Sequence, residues 1–287
     1  MMKEFKDKVA VITGAASGIG RSIADRCAQE GMKVVLADLE KEDLTKAEEE
    51  MKAKGATALA VPTDVSKAAD VEALAKKTVD AFGAVHLLCN NAGVGPMTWI
   101  LGSTLAEWEW VVGVNLWGVI HGVRVFTPIM LEQDMDCHIV NTASRAGLVC
   151  APSLGLYRVT KHAVVALSET LYHELAQKKA KIHVSLLCPA MVKTGIMDWE
   201  RRRPAALQKE RADKLTRPEE EALAQKMLRS METAMSPDQV ADLVLKAVKE
   251  EKFYIFPHPE LADEVRLRME DILQGRNPSK PLRTPGE

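Results

Sequence analysis

Residues Lys8 to Ile12 (KVAVI) form a short apolar run, followed at once by Thr13-Gly14-Ala15-Ala16-Ser17-Gly18-Ile19-Gly20 and then by helical periodicity from Arg21 to Gln29. The order is buried strand, glycine turn, helix. Gly14 lets the chain turn sharply, Gly18 lets backbone approach a pyrophosphate, and Gly20 lets the helix pack close to the strand. The start of that helix, around Ser17, Gly18 and Ile19, offers N–H groups and a partial positive charge to phosphates. A second apolar run, Lys33 to Ala37 (KVVLA), ends in Asp38. A carboxylate there can accept hydrogen bonds from the ribose hydroxyls of an adenosine and would repel a 2′-phosphate. The segment therefore predicts a dinucleotide site that takes NAD in preference to NADP.

Further along, Tyr157 and Lys161 stand four residues apart, with Ser144 upstream. If 156–177 is helical, positions i and i+4 share a face and the ammonium sits beside the phenol. A phenol titrates near ~10 in water, and a nearby cation favours the phenolate, which makes the group a usable acid/base near neutrality. Taken alone, such a pair is as well explained by an ordinary helix surface. The strand, turn and helix at the other end of the chain shift the balance to chemistry.

Several motifs then fall in one order: T-G-x-x-x-G-x-G at Thr13 to Gly20, Asp64-Val65, Asn90-Asn91-Ala92-Gly93, Asn115, Ser144, and Tyr157 with Lys161. In this set the chain resembles the short-chain dehydrogenase/reductase family, strongly from about Lys6 to Thr194. The resemblance implies that Tyr157 exchanges a proton with the substrate oxygen and that Lys161 holds the nicotinamide ribose and lowers the phenol pKa. It implies that Ser144 hydrogen-bonds the substrate oxygen and that Asn115 places a water beside the lysine. It further implies that Asp64 and Val65 meet the adenine, and that Asn91, Ala92 and Gly93 form the turn under the adenosine ribose. For Asn90 and Asn91 a purely structural role, tying neighbouring strands together, stands level with cofactor contact. Gly93 is also explained by a tight turn alone. The family's frequent Pro-Gly is Pro189-Ala190 here, while Val192 and Thr194 match the positions that grip the carboxamide. Arg158, Val159 and Thr160 replace the usual small residues between Tyr157 and Lys161.

The 287-residue chain is expected to be one α/β domain: a doubly wound, Rossmann-type parallel sheet with helices on both faces. Strands are expected near 8–13, 33–38, 57–61, 85–90, 137–142, 182–188 and 253–256, with long helices near 104–131 and 156–178. A net charge of −2 gives no broad basic field for nucleic acid. The charged N-terminus lacks a signal-peptide core, and no run of ~18 apolar residues suggests a membrane span, so a cytoplasmic protein is expected. Cys27, Cys89, Cys137, Cys150 and Cys188 read as free thiols. The histidines show no metal-ligand spacing, and no metal is expected.

The two long helices are apolar on more than one side, which predicts a homodimer or homotetramer. The stretch 195–235 is expected to be a helical lid, closed at its end by Ser236 as N-cap and Pro237 as first helical residue. Within it Arg201-Arg202-Arg203 reads as a solvated basic turn. Residues 275–287 are expected to be a flexible tail. Leu148, Leu154, Met191, Ile196, Met197 and Trp199, with Ser144, are the candidate substrate contacts, which makes the substrate a small hydrophobic alcohol or ketone. Two alternatives stay open: an NADP-linked reductase of 3-oxoacyl thioesters, for which Asp38 has the wrong charge, and an inactive nucleotide-binding sensor, for which Tyr157 and Lys161 would be superfluous.

Overall fold

The computed structural model describes residues 2, 4–198 and 228–279, with 203, 204, 207 and 225 between them. Seven parallel strands, β1 (Val9–Thr13), β2 (Lys33–Asp38), β3 (Ala58–Pro62), β4 (Leu87–Asn90), β5 (Cys137–Thr142), β6 (Ile182–Leu187) and β7 (Tyr254–Ile255), lie in the order β3-β2-β1-β4-β5-β6-β7. The order reverses between β1 and β4, and a crevice opens there at the carboxyl ends of the strands. All seven strands fall where the sequence places them.

Successive residues of a strand face opposite sides, so each strand feeds two cores. Ala10 and Ile12 of β1 join Val34, Leu36 and Leu87 under α1 (Gly18–Gln29), α2 (Lys41–Ala53) and α7 (Pro237–Glu250). Val9 and Val11 join Val35, Leu88 and Ile139 on the other side, covered by α3 (Ala68–Phe82), α5 (Gly118–Gln133) and α6 (Gly155–Gln177). Burial on both faces explains why the strands are continuous apolar runs rather than alternating ones. Each fully buried aliphatic side chain contributes about 1.5–3 kcal/mol.

Between α4 (Leu105–Val112) and α5 the chain does not break but widens into one π-helical turn, Gly113–Trp117. The helical run Leu105–Gln133 is long and apolar enough to cross a bilayer by length and composition, contrary to the expectation that no such run exists. Here it is a core element: Val111, Val119, Phe126 and Met130 are buried against the sheet layer and its neighbours. Gly118 and Gly122 allow the close approach, since a Cβ on Gly122 would fall 2.0 Å from the side-chain oxygen of Asn90.

Helix α7 opens as expected, with Ser236 accepting from the Gln239 amide in a capping box and Pro237 in the first turn. The last described helix is α8 (Ala262–Leu273). Most of the 195–235 stretch, and 280–287 of the expected tail, lie outside the described residues. Arg203 is not solvated: it is buried and its guanidinium meets Glu107 at 2.5 Å.

Candidate active site

A cleft of about 750 Å³ runs along the carboxyl ends of the strands, from Asp38 and Asp64 at one end to Ser144, Tyr157 and Lys161 at the other. Its floor at the β1 end is the glycine turn. Gly14 has φ +68°, and a Cβ there would sit 2.9 Å from Ala92 Cα; a Cβ on Gly20 would sit 2.1 Å from the Gly14 carbonyl oxygen. Both positions exclude any side chain. Ser17 makes no side-chain capping bond to the first turn of α1, so it does not compete for those N–H groups with an anion in the cleft.

Asp38 closes the β2 end. Its carboxylate accepts from the Ala16 amide at 3.0 Å and the Glu40 amide at 3.2 Å, which ties the strand end to the glycine turn. A carboxylate has further lone-pair positions for ribose hydroxyls. Among the described residues lining this end, Asp38, Glu40 and Asp64 are acidic and none is Lys or Arg. Burial works to raise the Asp64 pKa, but hydrogen bonds from Ser66 and the nearby Lys67 outweigh it and hold the carboxyl below its usual range. Val65, buried beside it, lines the cleft and packs close to Gly118.

The β4 end is held by side chains. Asn90 donates to Asn141 across the sheet at 2.9 Å, and Asn141 donates to Ser168 of α6. The backbone amides of Asn91 and Ala92 both donate to the Thr13 hydroxyl, and the Asn91 side chain donates to the Thr13 carbonyl. Strand tying is therefore a role of both asparagines, while Asn91 also lines the cleft. Gly93 does not have positive φ. It is glycine because a Cβ would lie 3.3 Å from the Asn115 side-chain oxygen and 3.6 Å from Lys161 Nζ.

Asn115 sits in the π-helical turn, fully buried. Its side chain accepts from the Val94 amide at 2.8 Å and donates to the Val94 carbonyl at 2.9 Å, so it fixes the loop after β4 in both directions. Lys161 reaches the same region from α6, donating to the Thr142 carbonyl at 2.8 Å. Burial pulls its pKa down to about 8. Its Nζ lies 5.5 Å from the centre of the Tyr157 ring.

The tyrosine departs from expectation. Burial raises the Tyr157 pKa above its ordinary value, and the groups that work against this are the Ser144 hydroxyl, by hydrogen bond, and the Arg158 guanidinium, by charge. Lys161 is not among them. Arg158, in a variable position of the motif, lines the cleft beside Tyr157. It is buried, and it donates to the carbonyls of Ser153 at 3.1 Å and Val149 at 2.8 Å. Ser153 and Leu154 both hold left-handed backbone, φ 71° and 52°, a conformation that costs of order 1–3 kcal/mol per residue unless its surroundings impose it. Arg158 supplies two of the bonds that impose it.

Ser144 donates to the Pro189 carbonyl and accepts from the Ala146 amide. Val192 pairs with Met235, and Thr194 packs against Gly18, so the loop after β6 folds back over the glycine turn. Leu154 and Met191 pack with Met97 and Tyr157. They line the cleft with Ile196, another of the expected contacts, and with Val94, Trp110 and Val114, which come from distant segments and were not named as substrate contacts in the sequence. Leu148 does not line it. Its side chain turns the other way and packs on the cluster of Val119, Val164 and Leu186. The side chain of Met197, and Trp199 altogether, lie outside the described residues.

Known proteins agree with this geometry. The family described as short chain dehydrogenase matches residues 8–205. A crystal structure of a short chain dehydrogenase/reductase from Burkholderia phymatum in complex with NAD is 49% identical, with a TM-score of 0.93 over 98% of this chain and 99% of that one. The CLA biosynthesis dehydrogenase/reductase of Lactiplantibacillus plantarum is 34% identical over 273 residues, 95% of each chain. The 1-deoxy-11-beta-hydroxypentalenate dehydrogenase of Streptomyces avermitilis is 33% identical over 270 residues, 93% of this chain and 91% of the relative. The fold and these relatives are those of oxidoreductases acting on CH–OH groups. The chain belongs to the short-chain dehydrogenase/reductase family.

Proposed function

We propose that the protein uses NAD to interconvert a hydrophobic secondary alcohol and its ketone, with Tyr157 as acid/base. The observation that carries this reading is the meeting of Ser144, Tyr157 and Lys161 at one end of a single cleft that Asp38 bounds at the other. The residues present fit the dinucleotide. The cradle of Gly14, Ser17, Gly18, Ile19 and Gly20 would take its pyrophosphate, Asp38 its adenosine ribose, and Asp64 and Val65 its adenine. Asn91, Ala92 and Gly93 would lie along it, and Lys161, Pro189, Val192 and Thr194 would hold the nicotinamide end. The acidic lining near Asp38 disfavours a 2′-phosphate, and the NAD complex of the relative from Burkholderia phymatum supports the same choice.

When bound, the nicotinamide accepts or supplies the hydride. In the oxidative direction Tyr157 takes the hydroxyl proton of the alcohol, and Ser144 turns its one hydroxyl hydrogen from the Pro189 carbonyl to donate to the same oxygen. In the reductive direction the two groups stabilise the negative charge that builds on the carbonyl oxygen, and Tyr157 returns the proton. Burial holds the phenol pKa above its ordinary value, and Ser144 and Arg158 oppose it in the direction a base needs. Asn115 holds the loop at Val94 and, by donating to the Thr160 hydroxyl at 3.3 Å, braces the turn of α6 that carries Lys161.

Substrate preference follows from Val94, Trp110, Val114, Leu154, Met191 and Ile196, whose side chains make the catalytic end largely apolar and, through the methionine, adaptable. The stretch 195–235 acts in this reading as a lid: its root at Ile196 and its far end at Met235 both line the cleft. Incubating the protein with NAD and a panel of secondary alcohols, and following absorbance of the reduced nicotinamide, tests the proposal. Alicyclic and aromatic alcohols should turn over faster than polyols; preference for polyols, or no turnover of any alcohol, would overturn it.

A further inference from the structure

We infer that the arm from His258 to Glu264 is a positioning device for catalysis, in which Glu264 grips Arg145 and through it fixes the loop that carries Ser144. This rests on the reaction proposed above. Arg145 directly follows the serine. Its Nε and Nη2 donate to the two carboxylate oxygens of Glu264 at 2.6 and 2.5 Å, from a residue 119 positions later in the chain. Glu264 is 4% exposed, and both partners line the cleft. A planar two-point contact of this kind fixes direction as well as distance.

The backbone shows what the grip controls. The Arg145 amide donates to the Pro189 carbonyl at 2.8 Å, and the Ser144 hydroxyl donates to that same carbonyl at 3.3 Å. The arm also holds the other side of Pro189, because His258 Nδ1 accepts from the Ala190 amide at 3.2 Å. One segment, leaving the sheet edge at β7, thus touches the loops after β5 and after β6 within two residues of the point where they meet. A buried ion pair contributes little net stability once its desolvation is counted. Its two-point geometry is what the serine loop gains. Neither Arg145 nor Glu264 needs to touch the reacting atoms for this; both act through Ser144.

The test uses the full chain with Glu264→Gln, Arg145→Gln and the double variant. Amide hydrogen exchange in 143–149 should quicken at least tenfold in each single variant, with exchange in β1 and α1 unchanged. This readout needs no substrate. On the best alcohol found, kcat should fall at least tenfold while the NAD dissociation constant, read from tryptophan fluorescence, stays within twofold. The double variant should be no slower than the slower single one, since the two residues act as a unit. Glu264→Asp, which keeps the charge one methylene back, should recover part of kcat, and it replaces Glu264→Gln if that variant does not fold. Unchanged exchange in 143–149 overturns the inference whatever the substrate. So do losses that multiply in the double variant, or a lowered thermal midpoint with kcat intact. A wild-type protein inactive on every alcohol, with exchange altered as described, would instead sink the proposed reaction and leave the grip standing.

Discussion

Lys161 is charged in a place that does not favour charge. Burial takes its pKa from the ordinary 10.5 to about 8, which corresponds to about 3 kcal/mol against the folded state at neutral pH. The lysine is protonated in both folded and unfolded states below about 8, so the cost is complete there. It fades as pH rises from about 8 to 10.5, because only the unfolded chain then still binds the proton. Wild-type stability to urea should therefore rise between about pH 8 and 10.5, and Lys161→Met should lack that rise, while turnover collapses and NAD binds more weakly. An equal rise in the variant would contradict this account. Tyr157→Phe removes only the phenolic group, so turnover should fall ~100-fold or more while the NAD dissociation constant holds, as titration by fluorescence would show. At the far end of the cleft, Asp38→Arg should shift the ratio of kcat/KM values towards NADP by exchanging repulsion for a phosphate partner. A wild type that already prefers NADP would refute the role of Asp38.

Among the elements, the turn between β1 and α1 does the most with the least sequence. A Cβ on Gly20 would lie 2.1 Å from a backbone oxygen that cannot move without opening the turn. Gly20→Ala is expected to abolish NAD binding and to lower the thermal midpoint; NAD titration at wild-type affinity would show that the turn has slack. This element was legible in the sequence because its cause is local: an apolar run, glycines at close approaches, then helical periodicity. Strand positions were legible for the same reason. Features fixed by residues far apart were not. The π-helical turn around Asn115 leaves no mark in helical periodicity, and Leu148 and Leu154, both apolar and both near Ser144, pack in different clusters that only distant residues define. Arg203 read as a solvated turn because its partner, Glu107, lies 96 residues earlier. The Tyr157 phenol is read from sequence as answering to Lys161, four residues away; burial, which only the fold defines, raises its pKa against the pull of Ser144 and Arg158.

At the scale of the molecule, apolar side chains remain on the outside among the described residues, and two groups of them lie where copies of the chain could meet. One lies on the helices around the catalytic residues, where Trp117 is 49% exposed and Val159 47%. The other is at the sheet edge, where Tyr172, Phe253 and Tyr254 meet edge to face and Tyr254 stacks on Phe256, with ring centroids 4.6 to 5.6 Å apart. Exposed aromatic clusters of this kind mark association surfaces. A single self-complementary patch closes a dimer, and a second one on an independent surface joins dimers into a tetramer. We expect light scattering at micromolar concentration to report a tetramer, and Trp117→Glu or Phe256→Glu alone to give dimers. Only the two changes combined should yield monomers. Full tetramers in both single variants would show that these patches are not the interfaces, and a monomeric wild type would leave them without a partner of the same chain.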